Sequence, residues 1–222
     1  MKPKLISFKL CPFAQRVAIV LLEKKIEFDI EYINLADPPK WLSKISPMGK
    51  VPVLQVDNEV LFESGIINEY LNDVYPPNMH PQDPLQKAKD RAWIEFCSEL
   101  LMKFYAWYIV ETKSDFKQEL KSLLASLKFV EQQLNNKPFF NGDNFMLIDA
   151  TYSPLFMRLQ IISKALQQDL LKDLPNCAQW SNSLLAKSSV QKSVVEGFED
   201  LFLGFIKSIG SHMAQKINNM PH

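Results

Sequence analysis

The run Leu10-Cys11-Pro12-Phe13-Ala14-Gln15-Arg16 joins a short apolar stretch to a segment whose apolar residues recur at helical spacing. Lys4 to Phe8 is typical of a strand, and Ala14 to Leu22 is typical of a helix whose first turn tolerates Pro12. Cys11 therefore falls at or near the predicted helix N-cap. Unpaired backbone N–H groups and the helix dipole stabilise a thiolate there, so we expect a lowered pKa and a nucleophilic sulfur.

The other two cysteines give no sign of reactivity. Cys97 and Cys177 lie in predicted helical sequence, where a free cysteine ordinarily behaves as a small buried hydrophobe. The residue three positions after Cys11 is Ala14, so the chain has no Cys-x-x-Cys pair at this turn. We expect any disulfide that Cys11 forms in a catalytic cycle to involve a thiol from another molecule.

Composition narrows the classes of function. The 222 residues allow two modest domains, and 25 basic against 25 acidic side chains give a formal net charge of zero. We therefore expect no nucleic-acid partner and no membrane association. Three cysteines at irregular spacing argue for a reducing compartment, and we predict a cytoplasmic protein without a secretion signal. His80, His212 and His222 lie in loop-like or terminal sequence, so no metal site is predicted.

The first eighty residues alternate strand and helix patterns. Phe28 to Ile33 alternates apolar and charged residues as a half-buried strand does, and Asp37 to Ser46 is a short helical segment. Val51 to Leu54 and Val60 to Phe62 predict a hairpin, and a helix follows from Ser64 to about Asn72. The order βαβαββα is that of a thioredoxin-like domain.

A proline-rich segment then separates this domain from helical sequence. Four prolines between residues 76 and 84 indicate a linker at about 74–85. We predict an α+β protein, with a thioredoxin-like domain at 1–78 and an all-helical domain at 79–222. The predicted helices of the second domain are 85–110, 115–134, 147–165 and shorter segments around 178–186 and 190–206.

Three motifs resemble those of the cytosolic glutathione transferase family, and the resemblance spans nearly the whole chain. The run from Cys11 to Arg16 is similar to the active-site run of the omega class, in which cysteine replaces the tyrosine or serine of conjugating classes. Lys50-Val51-Pro52-Val53-Leu54 is similar to the family's cis-proline loop. Phe62-Glu63-Ser64-Gly65-Ile66-Ile67 is similar to its glutamyl-binding turn.

This resemblance implies roles for individual residues. Cys11 is the implied catalytic residue, and glutathione is the implied co-substrate, with no metal. The residues implied to hold glutathione are Phe13, Lys50, Val51, Pro52, Glu63 and Ser64. Tyr108 and Arg158 are implied to lie in the pocket for the second substrate, a small electrophile or disulfide. The resemblance also implies a homodimer.

Two positions depart from the family pattern. Pro38 stands where the omega class commonly has a lysine that reaches the glycyl carboxylate, and Lys40 and Lys50 are both near enough to replace it. Met146 stands at the first position of a Ser/Thr-x-x-Asp capping box whose aspartate is Asp149. We assign Asp149 to folding rather than chemistry.

The resemblance implies a glutathione-dependent thioltransferase or reductase that acts through a mixed disulfide at Cys11, with weak conjugating activity. Two alternatives remain open. Glu63 to Tyr70 and Phe139 to Leu159 also resemble stringent starvation protein A, which binds RNA polymerase but lacks the active-site cysteine. A glutathione-dependent isomerase of the zeta type is the other, although Leu10 precedes Cys11 where that class has serine.

Overall fold

The computed structural model describes residues 2–220, and its N-terminal part is built on one mixed sheet. The strands are β1 Lys4–Ser7, β2 Asp29–Tyr32, β3 Val53–Val56 and β4 Glu59–Phe62. Their order is β2-β1-β3-β4, in which β1 runs parallel to β2 and antiparallel to β3, and β3 pairs antiparallel with β4. Parallel pairing of β1 with β2 requires a crossover, which the helix after β1 supplies.

Helix α1 connects the two halves of the molecule. The helices of the N-terminal part are α1 Pro12–Glu23, α2 Leu42–Ile45 and α3 Ser64–Val74. Val17, Ile19, Val20 and Leu21 are fully buried, because α1 packs against α3 on one side and against a helix of the C-terminal domain on the other. The N-terminal end of α1, where Cys11 lies, is therefore held by both domains.

The remaining described helices form the C-terminal domain. They are α4 Pro84–Ile109, α5 Lys113–Glu131, α6 Leu147–Ala165, α7 Pro175–Leu185, α8 Ser188–Gln191, α9 Phe198–Ser208 and α10 His212–Asn218. Between α3 and α4, the linker carbonyls of Tyr75 and Pro77 accept hydrogen bonds from Lys24 Nζ over 2.6 and 2.7 Å. This contact ties the C-terminal end of α1 to the linker. The exact domain boundary at residue 78 stays a prediction.

The predicted fold class, a thioredoxin-like domain followed by an all-helical one, is confirmed. Two local predictions are wrong. The single helix expected at 190–206 is broken at Gly197, whose φ of 68° lies in the left-handed region, and α10 follows it without having been predicted. The half-buried strand expected at Phe28 to Ile33 is more exposed than its alternation predicts: it forms the edge strand β2, and its apolar Ile30 is 37% exposed.

Candidate active site

Cys11 lies at the N-cap of α1, between β1 and the first helical turn. Its backbone N–H donates to Phe8 O over 2.9 Å, and its sulfur accepts a hydrogen bond from the Ala14 N–H at 3.4 Å. The thiol in turn donates to the Val51 carbonyl at 3.7 Å. Both partners of the sulfur, the Ala14 N–H and the Val51 carbonyl, are backbone groups. They hold the sulfur at the junction of α1 and the loop before β3.

The expected lowering of the Cys11 pKa is wrong. Burial among apolar side chains raises the pKa of the thiol, although the Ala14 and Phe13 N–H groups and the charges of Arg158 and Arg16 act to lower it. The helix N-terminus stabilises the thiolate as expected. Desolvation opposes it more strongly, because the walls of the cleft exclude water from the charged form.

Two cavities meet beside Cys11. One, here called the small groove, encloses about 280 Å³ and the other, the large cleft, about 820 Å³. All six residues predicted to hold glutathione line the small groove: Phe13, Lys50, Val51, Pro52, Glu63 and Ser64. Cys11 lines the large cleft, and Phe13, Lys50 and Val51 lie on the boundary between the two. A molecule in the small groove therefore reaches the same space as the Cys11 sulfur.

The start of α3 at Ser64 lines the small groove. The preceding Glu63 has a φ of 66°, so the chain turns sharply before the helix. Ser64 Oγ accepts a hydrogen bond from Arg16 Nε over 2.8 Å, and Arg16 Nη1 donates to Ser98 Oγ over 3.3 Å. Because the Arg16 bond occupies Ser64 as an acceptor, the hydroxyl hydrogen is left to be donated toward the groove.

The peptide bond between Val51 and Pro52, which also line the small groove, is cis. The segment before it is held by Ser46, whose hydroxyl donates to Lys50 O over 2.8 Å and accepts from Lys50 N over 2.9 Å. The side chain of Lys50 is exposed and lines the groove, whereas neither Lys40 nor Pro38 lines it. Of the two candidate lysines, Lys50 is the one placed to meet an anion in the groove.

Comparisons with known proteins agree with this geometry. The sequence matches the family model described as glutathione S-transferase, N-terminal domain, over residues 10–74, and that of the C-terminal domain over residues 91–183. Pyrimidodiazepine synthase of Drosophila melanogaster is 32% identical over 203 residues, 87% of this chain and 81% of that protein. Glutathione S-transferase omega-2 of Rattus norvegicus is 30% identical over 209 residues, 91% of this chain and 82% of that protein.

The chain belongs to the glutathione S-transferase family. Its omega-class relatives place this transferase in the omega-like branch. Among solved structures, glutathione transferase Omega 3C of Trametes versicolor superposes with a TM-score of 0.79 at 22% identity, covering 88% of this chain and 90% of that one. A tau-class enzyme of Mangifera indica gives a TM-score of 0.83 at 22% identity, covering 94% and 98%. At these identities the structural likeness shows the fold.

The large cleft of the transferase is lined by residues of both domains and is predominantly apolar. Its aromatic lining residues are Phe8, Phe13, Phe104, Tyr105, Tyr108, Phe202 and Phe205. Burial raises the pKa of Tyr108, so its phenol stays neutral at physiological pH. A cavity of this size and character suits an apolar or aromatic small molecule.

Arg158, predicted for the second-substrate pocket, lines the large cleft but its hydrogen bonds are directed to the protein. Nη1 donates to Gln15 Oε1 over 2.6 Å and to Pro154 O over 2.8 Å, and Nη2 donates to Leu10 O over 3.0 Å. Only 2% of the residue is exposed. Its contacts bind α6 to the segment that carries Cys11.

Several residues of the site were not singled out from the sequence. Arg16 belongs to the Cys11 motif, and its position as a charged residue within an apolar helix was the signal that it has a buried partner. Met102 lines both cavities, and Phe202 and Phe205 enter the large cleft from α9. No motif marks these three, because their place depends on how α4 and α9 pack.

Neither a metal centre nor a membrane span is evident in residues 2–220. No group of three His, Cys, Asp or Glu side chains there is placed to hold a metal ion. No helix in that range combines the length and apolar character needed to cross a bilayer. Of the three histidines, His80 pairs with Glu69 at 2.9 Å and His212 packs against the Phe116 ring, while His222 lies outside the described residues.

Proposed function

We propose that this glutathione transferase acts mainly as a glutathione-dependent thioltransferase, with Cys11 as the nucleophile. The observation that carries the proposal is the position of the Cys11 sulfur, 3.7 Å from the Val51 carbonyl, where the small groove opens into the large cleft. A thiol is a poor hydrogen-bond donor to a glutathione thiolate, but it can form a disulfide with it.

Glutathione is proposed to lie along the small groove. Its glutamyl carboxylate would meet Ser64 and the first N–H groups of α3, and its ammonium would meet Glu63. The backbone of Val51 beside Pro52 is in reach of an extended peptide, and Lys50 would pair with the glycyl carboxylate. This placement brings the glutathione sulfur to Cys11, with Phe13 at the rim.

The reaction then consists of two balanced exchanges. The Cys11 thiolate attacks the glutathione sulfur of a mixed disulfide RS–SG, the RS–SG bond breaks, and RS⁻ leaves and takes a proton from water. A glutathione thiolate next attacks the same sulfur in Cys11–SG, releasing oxidised glutathione and the Cys11 thiolate. The net change is RSSG and GSH to RSH and GSSG.

The absence of a nearby second thiol supports release by external glutathione. Cys97 and Cys177 are both fully buried, and burial raises the pKa of Cys97 to about 12 and that of Cys177 higher still. Neither can resolve a disulfide at Cys11. The adduct is expected to persist until glutathione is supplied.

The test compares turnover of a glutathionylated small thiol by the unaltered protein and by Cys11→Ala, with Cys97→Ala as the matched control. Turnover is expected to vanish only in Cys11→Ala. Intact-mass measurement after treatment with oxidised glutathione is expected to show one glutathionyl group, on Cys11. Equal turnover in Cys11→Ala, or an adduct on another cysteine, would contradict the proposal.

Two wider parts of the proposal concern the setting of the enzyme. We propose that it works in the cytoplasm, as its few unpaired cysteines suggest, and as a homodimer, as its resemblance to the family implies. Sedimentation at low micromolar concentration tests the dimer, and a monomer mass there would contradict it. A role in binding RNA polymerase is not favoured. Such binding does not require a thiol, whereas here the Cys11 thiol lies where two cavities meet.

A further inference from the structure

Arg158 is a buried cation whose hydrogen-bond partners are all neutral. Its guanidinium donates to the amide oxygen of Gln15 and to the carbonyls of Pro154 and Leu10, over 2.6 to 3.0 Å. The rings of Phe198 and Phe202 from α9 cover it, with centroids 5.0 and 5.7 Å from the guanidinium carbon. Water is thus largely kept from this charge.

The two cavities that Cys11 lines, the large cleft and the small cavity behind Cys11, have no carboxylate in their walls among the described residues. The titratable and charged groups that face this region are the Cys11 thiol, Arg16 from α1, Tyr32 from β2, Tyr105 and Tyr108 from α4, Lys9 and Lys50. All of these except the thiol and the phenols are cations.

A buried charge without a counter-ion is costly, so an anion that forms beside it is stabilised. Cys11 and Tyr108 line the large cleft together with Arg158, and Arg158 Nη2 donates to the carbonyl of Leu10, the residue next to Cys11. These two groups also raise the pKa of Arg158 against its burial. Since the Tyr108 phenol stays neutral, the Cys11 sulfur is the one neighbour of Arg158 that becomes an anion during the proposed reaction. The chemistry therefore supplies the missing partner transiently.

We propose that Arg158 is the counter-ion of the Cys11 thiolate and, through its hydrogen bond to the Leu10 carbonyl, also positions the Cys11 segment. Arg158 is thus a charge-compensating and positioning residue rather than a binder of substrate. This inference rests on the proposed function only in taking Cys11 as the reacting thiol.

The charge of Arg158 is expected to accelerate the reaction most in the step in which Cys11 is the leaving group. When glutathione attacks the Cys11–SG disulfide, the S–S bond breaks and the electron pair stays on the Cys11 sulfur, in the cleft that Arg158 also lines. A thiolate of lower basicity leaves faster, so a compensating charge accelerates this step as well as the first attack. Apolar walls and a fixed cation together allow a thiol that is mostly protonated at rest to react.

The test follows the rate of Cys11 alkylation by iodoacetamide against pH from 6 to 10, without glutathione, in four proteins. These are the unaltered chain, Arg158→Gln, Arg158→Lys and the control Arg91→Gln, whose arginine pairs with Glu69 on the surface. The midpoint of the curve of alkylation rate against pH reports the pKa of Cys11. Arg158→Gln is expected to raise this midpoint by about one pH unit and to slow alkylation near pH 7 about tenfold. Arg158→Lys, which keeps the charge, is expected to stay within about half a unit, and Arg91→Gln is expected to match the unaltered chain.

An unchanged midpoint in folded Arg158→Gln would overturn the proposal. If circular dichroism shows that this variant does not fold, Gln15→Glu replaces it, because it keeps Arg158 and puts a carboxylate oxygen where the amide oxygen now accepts from Nη1. That permanent counter-ion is expected to raise the midpoint, and an unchanged midpoint there would equally overturn the proposal. The alkylation assay contains no glutathione, so its result does not depend on thioltransferase activity. If the alkylation midpoint shifts in Arg158→Gln but the unaltered protein has no thioltransferase turnover, the proposed function is rejected and the role of Arg158 as counter-ion is supported.

Discussion

The indole Nε1–H of Trp180 donates a hydrogen bond to Asp149 Oδ1 over 2.7 Å in the interior of the helical domain. The same oxygen accepts from the Phe140 N–H at 3.0 Å, and Oδ2 accepts from the Met146 N–H at 2.8 Å. Asp149 is completely buried, and its carboxyl group joins α7, the start of α6 and the loop before it. This is a wider role than the helix cap that the sequence predicted.

Replacement of Asp149 by alanine is therefore expected to destabilise the protein by about 3 kcal/mol or more, because three buried N–H donors lose their acceptor. Thermal unfolding is the measurement, at about 2–4 °C per kcal/mol for a chain of this size. Alkylation of Cys11 below the melting temperature should be unaffected. A native melting temperature would contradict the assignment.

Asp149 is also expected to make stability depend on pH. Burial raises the pKa of its carboxyl group to about 7, although the three N–H donors oppose the shift. A raised pKa means that the folded protein holds a proton that the unfolded chain releases near pH 4, so this contribution is present below about pH 4 and is lost as the pH rises through about 7.

The matched variant is Asp149→Asn, which cannot titrate. The melting temperature of the unaltered protein minus that of the variant is expected to decrease from pH 4.5 to pH 8. Taking this difference cancels the titration of all other groups. A difference that is constant or that increases over this interval would show that Asp149 is ionised throughout.

For the small groove, Lys50→Met is expected to weaken the binding of S-methylglutathione about three- to tenfold, because it removes the cation placed to meet the glycyl carboxylate. Lys40→Met is the matched control, since Lys40 is exposed but does not line the groove. Titration calorimetry gives both dissociation constants. Equal affinities for the two variants would remove Lys50 from the site.

Ser64→Ala is expected to weaken binding of the same ligand by about 1–2 kcal/mol, because the hydroxyl donates to the glutamyl carboxylate. Ser98→Ala is the control, because it removes the other hydroxyl that accepts from Arg16 and leaves the groove intact. Cys11 alkylation should persist in both variants. If Ser98→Ala weakens binding as much as Ser64→Ala does, the effect belongs to Arg16 and not to the hydroxyl.

Selective alkylation tests the corrected view of Cys11. Because burial raises its pKa, labelling by iodoacetamide is expected to be slow at pH 6 and to accelerate toward pH 9. Cys97 and Cys177 should remain unlabelled throughout, since both are fully buried. Peptide mapping by mass spectrometry measures all three sites together, and label spread evenly among them would defeat the assignment.

Features that depend on neighbouring residues were predictable from the sequence. Pro12 and Ala14 place Cys11 at a strand-to-helix turn, and Ser64 starts α3 where its type and position predicted a helix start. Local sequence patterns did not predict the helices after residue 190. The helix expected there is interrupted between Gln191 and Phe198, and Gly197 precedes the first residue of α9. A glycine is compatible both with a continuous helix and with a break, and in the structure α8 and α9 each contact α6.

The sequence by itself determined the order of elements in the N-terminal domain, the strand-to-helix turn at Cys11 and the residue types that line the small groove. Alternation, capping and proline geometry are sufficient for this because they act over a few residues. Only the tertiary structure decided which charges act on the thiol. Arg16 reaches Ser64 across 48 positions and Arg158 reaches Leu10 across 148, distances that no local pattern spans. The same packing buries Cys11 among apolar walls, which reverses the pKa shift that its helix N-cap alone predicts.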